Sequence, residues 1–126
     1  MLVSWLHKDL VKNKVVLDIA SGSGYGSNYL SSFAKKVCGV DVDPEAIRYA
    51  NKNYSNNKTQ FKLGDGKKIP FGAESFDIVI SFETIEHILN DKKLIADLAK
   101  MLRPKGMLLL TTPYKHYKPL FGDEIS

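Results

Sequence analysis

Apolar and polar positions follow two different periods along this chain, and the switches between them mark out its elements. Leu2, Val3, Leu6, Leu10 and Val11 recur at helical spacing and predict an amphipathic lead-in helix, which Asn13-Lys14 breaks. Val15, Val16, Leu17 and Ile19 form a short, mostly β-branched apolar run of the kind a central parallel strand carries. Tyr29, Leu30 and Phe33 return to helical spacing, and Val37 to Val42 reads as a second strand. Asp43 then suits an N-cap, Pro44 the first helical position and Glu45 the first turn of a helix whose buried stripe is Ile47, Ala50 and Tyr54. Ser55-Asn56-Asn57 ends it. Thr59 to Leu63 and Phe76 to Phe82 predict the third and fourth strands, with a loop from Lys67 to Ser75 that tucks Ile69, Pro70 and Phe71 against the body. Leu94, Ile95, Leu98 and Met101 place a helix over 91–102, capped by Asp91. Arg103 to Gly106 reads as a turn in which Gly106 supplies any positive φ, and Met107 to Thr112 as a fifth strand closed by Pro113. The tail from Tyr114 to Ser126 has no clear period.

Strands alternating with helices imply βαβ units, right-handed crossovers and an α/β fold built on a mainly parallel sheet of about five strands. In such sheets ligands sit beyond the carboxyl ends of the strands, near the switch in strand order. The informative turns follow Ile19, Val40, Leu63 and Ser81, all at that end. The first is the richest. Gly22, Gly24 and Gly26 let the backbone turn sharply after the strand and open a helix, which makes a cradle of free N–H groups. Its form is G-x-G-x-G, not the dinucleotide G-x-G-x-x-G. Asp41 closes the second strand, where a carboxylate can accept two ribose hydroxyls; the plainer reading is a second cap beside Asp43.

At 126 residues the chain has room for a single domain: a lead-in over 1–14, a core over 15–113 and a tail over 114–126. No apolar run is long enough to span a membrane. His7, Lys8 and Asp9 interrupt the N-terminal apolar stripe, which lacks the unbroken core of a signal peptide. Cys38, the only cysteine, lies in an apolar run and reads as a buried inert thiol, in keeping with a cytoplasmic protein. The net charge is +4, but the lysines are dispersed with no interleaved aromatics, which points to a solvated surface and against nucleic acid as a partner.

Four stretches, VLDIASGSGYG, VCGVDVDPEAIRYA, GDGKKIPFGAESFDIVISFETIEHI and LRPKGMLLLTTP, resemble the class I S-adenosylmethionine-dependent methyltransferases of small-molecule type over roughly Val15 to Pro113. Agreement of four motifs in order and spacing is far more specific than any one of them. The resemblance implies a Rossmann-like three-layer sandwich, S-adenosylmethionine as cofactor and a small-molecule acceptor. It implies that Asp18 and the backbone from Ala20 through Ser21 and Gly22 to Gly24 hold the methionine end. Asp41 would bind the ribose and Val42 pack on the adenine. Asp65 would accept from the adenine amino group beside Gly66, and Ser81 and Phe82 would line the methyl-transfer opening. Two departures stand out. Ala20 replaces the usual glycine, which a negative φ would tolerate. The family's C-terminal helix and antiparallel strand pair are missing, so a second copy or the rest of a longer chain would complete the sheet.

Glu83-Thr84-Ile85-Glu86-His87 follows the fourth strand. If helical, it sets Glu83, Glu86 and His87 at i, i+3 and i+4 on one face. His87, with Glu86, then suits a general base for a hydroxyl or amine acceptor. The same three residues could instead hold a divalent metal, as E-x-x-E-H resembles the metal site of certain O-methyltransferases, or simply orient the substrate. Three other function classes remain open: a module that binds the cofactor without catalysing, a structural or assembly fragment, and an NAD-type oxidoreductase, against which the glycine spacing speaks.

Overall fold

The computed structural model describes residues 8–64, 71–84, 91–111 and 117–121. The elements follow in the order α1 (Lys8–Val11), β1 (Val15–Ile19), α2 (Tyr25–Ser31), β2 (Lys36–Asp41), α3 (Pro44–Tyr54), β3 (Thr59–Leu63), β4 (Phe76–Thr84), α4 (Lys92–Lys100), β5 (Leu102–Thr111) and β6 (Tyr117–Phe121). They build one sheet in the order β3-β2-β1-β4-β5-β6. The first five strands run parallel, as the alternation of strand and helix demands, and β6 lies antiparallel to β5. Strand order reverses between β1 and β4, so the crevice for a ligand opens above those two strands.

Strand period then sorts the core onto two faces. Val16, Val37, Ile78, Ile80 and Leu109 face Val11 of α1 and Leu30 of α2. Leu17, Ile19, Cys38, Val40, Val79 and Leu108 face Leu94 and Leu98 of α4. Ile47 and Ala50 of α3 pack on Phe61 of β3. The α3 boundaries follow from local chemistry: Asp43 caps by accepting from the Glu45 N–H at 3.0 Å, and Pro44 opens the first turn. Asp91 caps α4 in the same way, accepting from Leu94 N–H at 3.0 Å.

Three expectations are corrected here. The tail is not aperiodic throughout: Tyr117–Phe121 pairs in register with Met107–Thr111, so one antiparallel strand edges the sheet where none was expected. Arg103 to Gly106 is not a separate turn but part of β5, at a register shift against β4, and the positive φ there (67°) belongs to Lys105, not Gly106. Gly106 is small for another reason, since a Cβ there would stand 2.8 Å from the Arg103 carbonyl oxygen. Leu2, Val3, Leu6, Ile69 and Pro70 lie outside the described residues. The break after α1 falls at Asn13, which takes φ 61° as asparagine tolerates.

At the amino ends of the strands one side chain ties three elements. Asp77 of β4 accepts from the Val15 N–H of β1 at 2.8 Å and from Arg103 of β5 at 3.1 Å. Burial works to raise its pKa and is outweighed by those two donors and the Lys14 charge, so the carboxyl titrates below its ordinary value.

Candidate functional site

The opposite rim is organised by Asp41. Its strand sets it level with the end of β3 and one register step beyond Ile19 of β1. Oδ2 accepts from Gly22 N–H at 2.8 Å, and Oδ1 from Asp43 N–H at 2.9 Å. Its backbone carbonyl accepts from Gly64 N–H at 3.0 Å. One residue thus joins the β1, β2 and β3 loops. Each carboxylate oxygen keeps acceptor capacity, because a carboxylate offers about four lone-pair sites and the loops use two. The Cβ position of Gly22 meets no atom of the described residues within 4 Å, so none of them fills the space in front of the turn.

The glycines of the turn serve different ends. Gly22 takes φ 58° on the side clear of the described residues. Gly24 takes φ 93°, and a Cβ on it would stand 2.8 Å from Ala50 and 2.9 Å from Phe61. Gly24 is therefore required by the packing of the turn on α3 and β3. Ala20 overturns its expectation: its φ is +63°, the left-handed region a side chain adopts at a cost of about 1–2 kcal/mol. The path from strand to glycine turn demands this conformation whatever residue stands there.

Asp18 is buried in β1, 1% exposed. Its Oδ2 accepts from the Ser27 hydroxyl of α2 at 2.6 Å, while Oδ1 has no hydrogen-bond partner among the described residues. Burial pushes its pKa up to about 7; Ser27 pulls it down and Asp41 adds to the rise. Ser27 is a residue that sequence reasoning missed. Its only signal is a polar side chain on the inward face of α2. The Ser21 hydroxyl is likewise buried, with no partner among the described residues.

Val42, just past β2, is 65% exposed, and Leu63, at the end of β3, is 53% exposed. Two large apolar side chains left in water on one rim are a surface that an apolar ring would cover. Val42 was expected there; Leu63 was not. Ser81 is brought beside Ile19 by strand pairing, but its side chain is fully buried. Asp65, Gly66, Glu86 and His87 lie outside the described residues, as does the side chain of Phe82. Glu83 sits in extended backbone within β4, which removes it from the single helical face shared with Glu86 and His87. Strand pairing explains the extension, since Thr84 is still matched to Thr111 of β5.

These features fit an adenosyl amino acid. The front of Gly22 is clear of the described residues, Asp41 has acceptors for a ribose, Val42 and Leu63 offer apolar cover, and a buried oxygen of Asp18 has no hydrogen-bond partner among the described residues.

The methyltransferase-domain family matches residues 17–110. The chain is 29% identical over 98 residues to a probable S-adenosylmethionine-dependent methyltransferase of Mycolicibacterium smegmatis, covering 78% of this chain and 37% of that one. It is 33% identical over 120 residues to the phosphoethanolamine N-methyltransferase of Plasmodium falciparum, covering 92% of this chain and 45% of that one. Among solved structures, the Haloferax volcanii protein in complex with the Trm112 methyltransferase activator matches with a TM-score of 0.73 at 23% identity, over 88% of this chain and 49% of that one. The last is a likeness of fold. The chain spans less than half the length of each of these three proteins.

Proposed function

The chain belongs to the methyltransferase-domain family, and from that premise we propose that it binds S-adenosylmethionine on the carboxyl rim of its sheet and serves a whole protein that methylates a small-molecule acceptor. The observation that carries this reading is the Asp41 carboxylate, 2.8 Å from Gly22 N–H, at a turn whose front is clear of the described residues.

When bound, the cofactor supplies a methyl group already activated on a sulfonium, so the protein's part is mainly positioning. Asp41 accepts the ribose hydroxyls through the lone pairs its loops leave free. Val42 and Leu63 cover the adenine and exclude water from one face. Asp18 and the Ala20–Gly24 backbone hold the methionine end. Asp65 and Gly66 take the adenine edge, and Ser81 and Phe82 border the transfer opening. Glu86 and His87 are assigned the proton of a hydroxyl or amine acceptor, with His87 as the base suited to neutral pH. Likeness to the phosphoethanolamine enzyme supports an acceptor of small-molecule size. The chain acts as one cofactor-binding domain in a cytoplasmic setting, in keeping with its buried free thiol. A second copy or further chain beyond β6 would complete the sheet. Among the described residues no helix is long and apolar enough to cross a membrane.

The test is calorimetric titration of the chain with S-adenosylhomocysteine and, separately, NAD. We expect binding of the first alone, weakened at least about tenfold by Asp41→Ala, the loss of a charge-assisted pair of hydrogen bonds. Binding of NAD alone overturns the reading.

A further inference from the structure

Lysines that are dispersed along the sequence are brought together by the fold. Lys12 and Lys14 lead into β1, Lys35 and Lys36 open β2, and Lys58 leads into β3; in the sheet these three entries lie side by side. Backbone hydrogen bonds hold them there. Lys35 N–H donates to the Lys14 carbonyl at 2.9 Å, Lys36 N–H to the same oxygen at 3.3 Å, and Val37 N–H to the Lys58 carbonyl at 2.8 Å. The five side chains are exposed, and none has an ion-pair partner among the described residues. Neighbouring strands stand about 4.8 Å apart, so the three entries span about 10 Å. Two strands beyond β1, Arg103 and Lys105 of β5 extend the same edge.

Acids do not balance this strip. Asp41, Asp43, Glu45 and Asp91 stand at or beyond the carboxyl ends of the strands, and Asp97 is paired with Lys93. At the amino edge Asp77 is occupied by Val15 and Arg103, with the charge of Lys14 also acting on it. Glu74 precedes β4, its N–H donating to the Lys100 carbonyl, and Asp9 lies on α1. Of the residues not described, 1–7 contain no acid; Asp65 and Glu86 come after the carboxyl ends of β3 and β4, and Asp123 and Glu124 after β6, the opposite edge strand from β3. Like charges held together repel, so the cluster brings the fold no gain and suits an anion from outside. The edge also has shape. A cavity of about 380 Å³ is lined by Asp9, Lys12, Asn13, Ser32 and Phe33. Asn13 and Ser32 are exposed neutral donors, of the kind phosphate oxygens accept from beside lysine.

The surroundings decide which anion fits. A lipid surface holds a protein by charge together with an inserted apolar group. The large apolar side chains exposed among the described residues lie elsewhere: Tyr25, Val42 and Leu63 at the carboxyl rim, and Tyr49 within α3. Protein interfaces are poor in lysine. A phosphate backbone needs no apolar contact and rewards a row of point charges through release of its counterions. We propose that the amino edge of β1, β2 and β3 docks the phosphate backbone of a nucleic acid through Lys12, Lys14, Lys35, Lys36 and Lys58. The docked backbone is an anchor and not the methyl acceptor, since strands of five residues, about 17 Å long, separate it from the carboxyl rim. Phosphate contacts carry no sequence preference.

The experiment is fluorescence anisotropy of the full chain with a labelled DNA duplex of about 20 base pairs, from about 50 to 300 mM salt. We expect a micromolar dissociation constant at the lowest salt, and a slope of log affinity against log salt of about −4.5, near 0.9 for each lysine on a phosphate. A duplex of unrelated sequence should bind within about twofold. Lys14→Gln, Lys35→Gln and Lys58→Gln together should bring the slope to about −2 and weaken binding at least about tenfold at 100 mM salt. Lys92→Gln with Lys93→Gln, at the start of α4, should change neither, and circular dichroism checks that both variants fold. No binding at the lowest salt, a slope the triple variant leaves unchanged, or equal loss in both variants overturns the proposal. So does capture by phosphatidylserine vesicles without duplex binding, which assigns the edge to a membrane. None of these outcomes bears on the cofactor reading.

Discussion

Two aspartates on neighbouring strands meet opposite fates. Asp77, at the amino end of β4, accepts from Val15 N–H and from the Arg103 guanidinium, and its carboxyl titrates low. Asp18, near the carboxyl end of β1, has one neutral donor, an orphaned oxygen and a repelling neighbour, and its carboxyl titrates high, at about 7. Asp77 fastens three strands. Left-handed backbone does not separate the two ends, since Asn13 and Lys105 take it near Asp77 and Ala20 takes it on the rim above Asp18. The carboxyl at one end is satisfied by its own chain. The one at the other is left incomplete in the place where a ligand would complete it, as a binding site held ready for its ligand must be.

Gly24 offers the sharpest way to break this contrast, because it belongs to the ligand end by position and to the core by contact. Gly24→Ala should cost about 3 kcal/mol in urea unfolding, from the positive φ and the collision with Ala50 and Phe61. A neutral result would show that the turn is not anchored on α3. The two aspartates come next, and their signs oppose. The folded pKa of Asp18 is raised, so between the ordinary 3.8 and about 7 the folded chain keeps a proton the unfolded chain has lost, and stability declines as pH climbs through that window. Asp18→Asn should therefore be more stable than the parent by about 2 kcal/mol near pH 8, with the gain gone below pH 4. The folded pKa of Asp77 is lowered, so its contribution is present above 3.8 and fades as pH falls through the folded value. Asp77→Ala should lose about 1–2 kcal/mol at pH 7, the worth of an N–H left unpaired, and approach the parent on acidification. Thermal melts across pH 3 to 8 would separate the two curves. Ala20→Gly is the smallest effect. Relief of strain, less the greater unfolded-state freedom of glycine, should yield about 0.5–1 kcal/mol in denaturant midpoints.

What the sequence disclosed follows the same division. Asp43-Pro44-Glu45 announced the start of α3 because capping is local chemistry, and the cap hydrogen bond is present. Asp41 was expected to close the second strand, and from there it reaches Gly22 N–H, since strand-end position is set by register. Elsewhere distant parts of the chain decide. The φ sign of Ala20 depends on the path to the turn, not on alanine. Tyr117–Phe121 contains Pro119 and no alternation, yet it pairs because β5 offers an open edge, where proline is tolerated. A helical turn would have set Glu83 on one face with Glu86 and His87, but Glu83 stays extended because β5 continues beside it. Ser27 gave no motif, and its importance comes only from the buried carboxyl it reaches.

Asp41 receives the amide hydrogens of Gly22, Asp43 and Gly64 through three separate oxygens. Segments held by a common acceptor residue cannot loosen one at a time without disturbing it. Those three amides should therefore exchange with deuterated solvent at related rates, governed by one shared opening. An occupant that touches any one segment would slow all three, and that shared retardation would be visible by magnetic resonance before any turnover is measured.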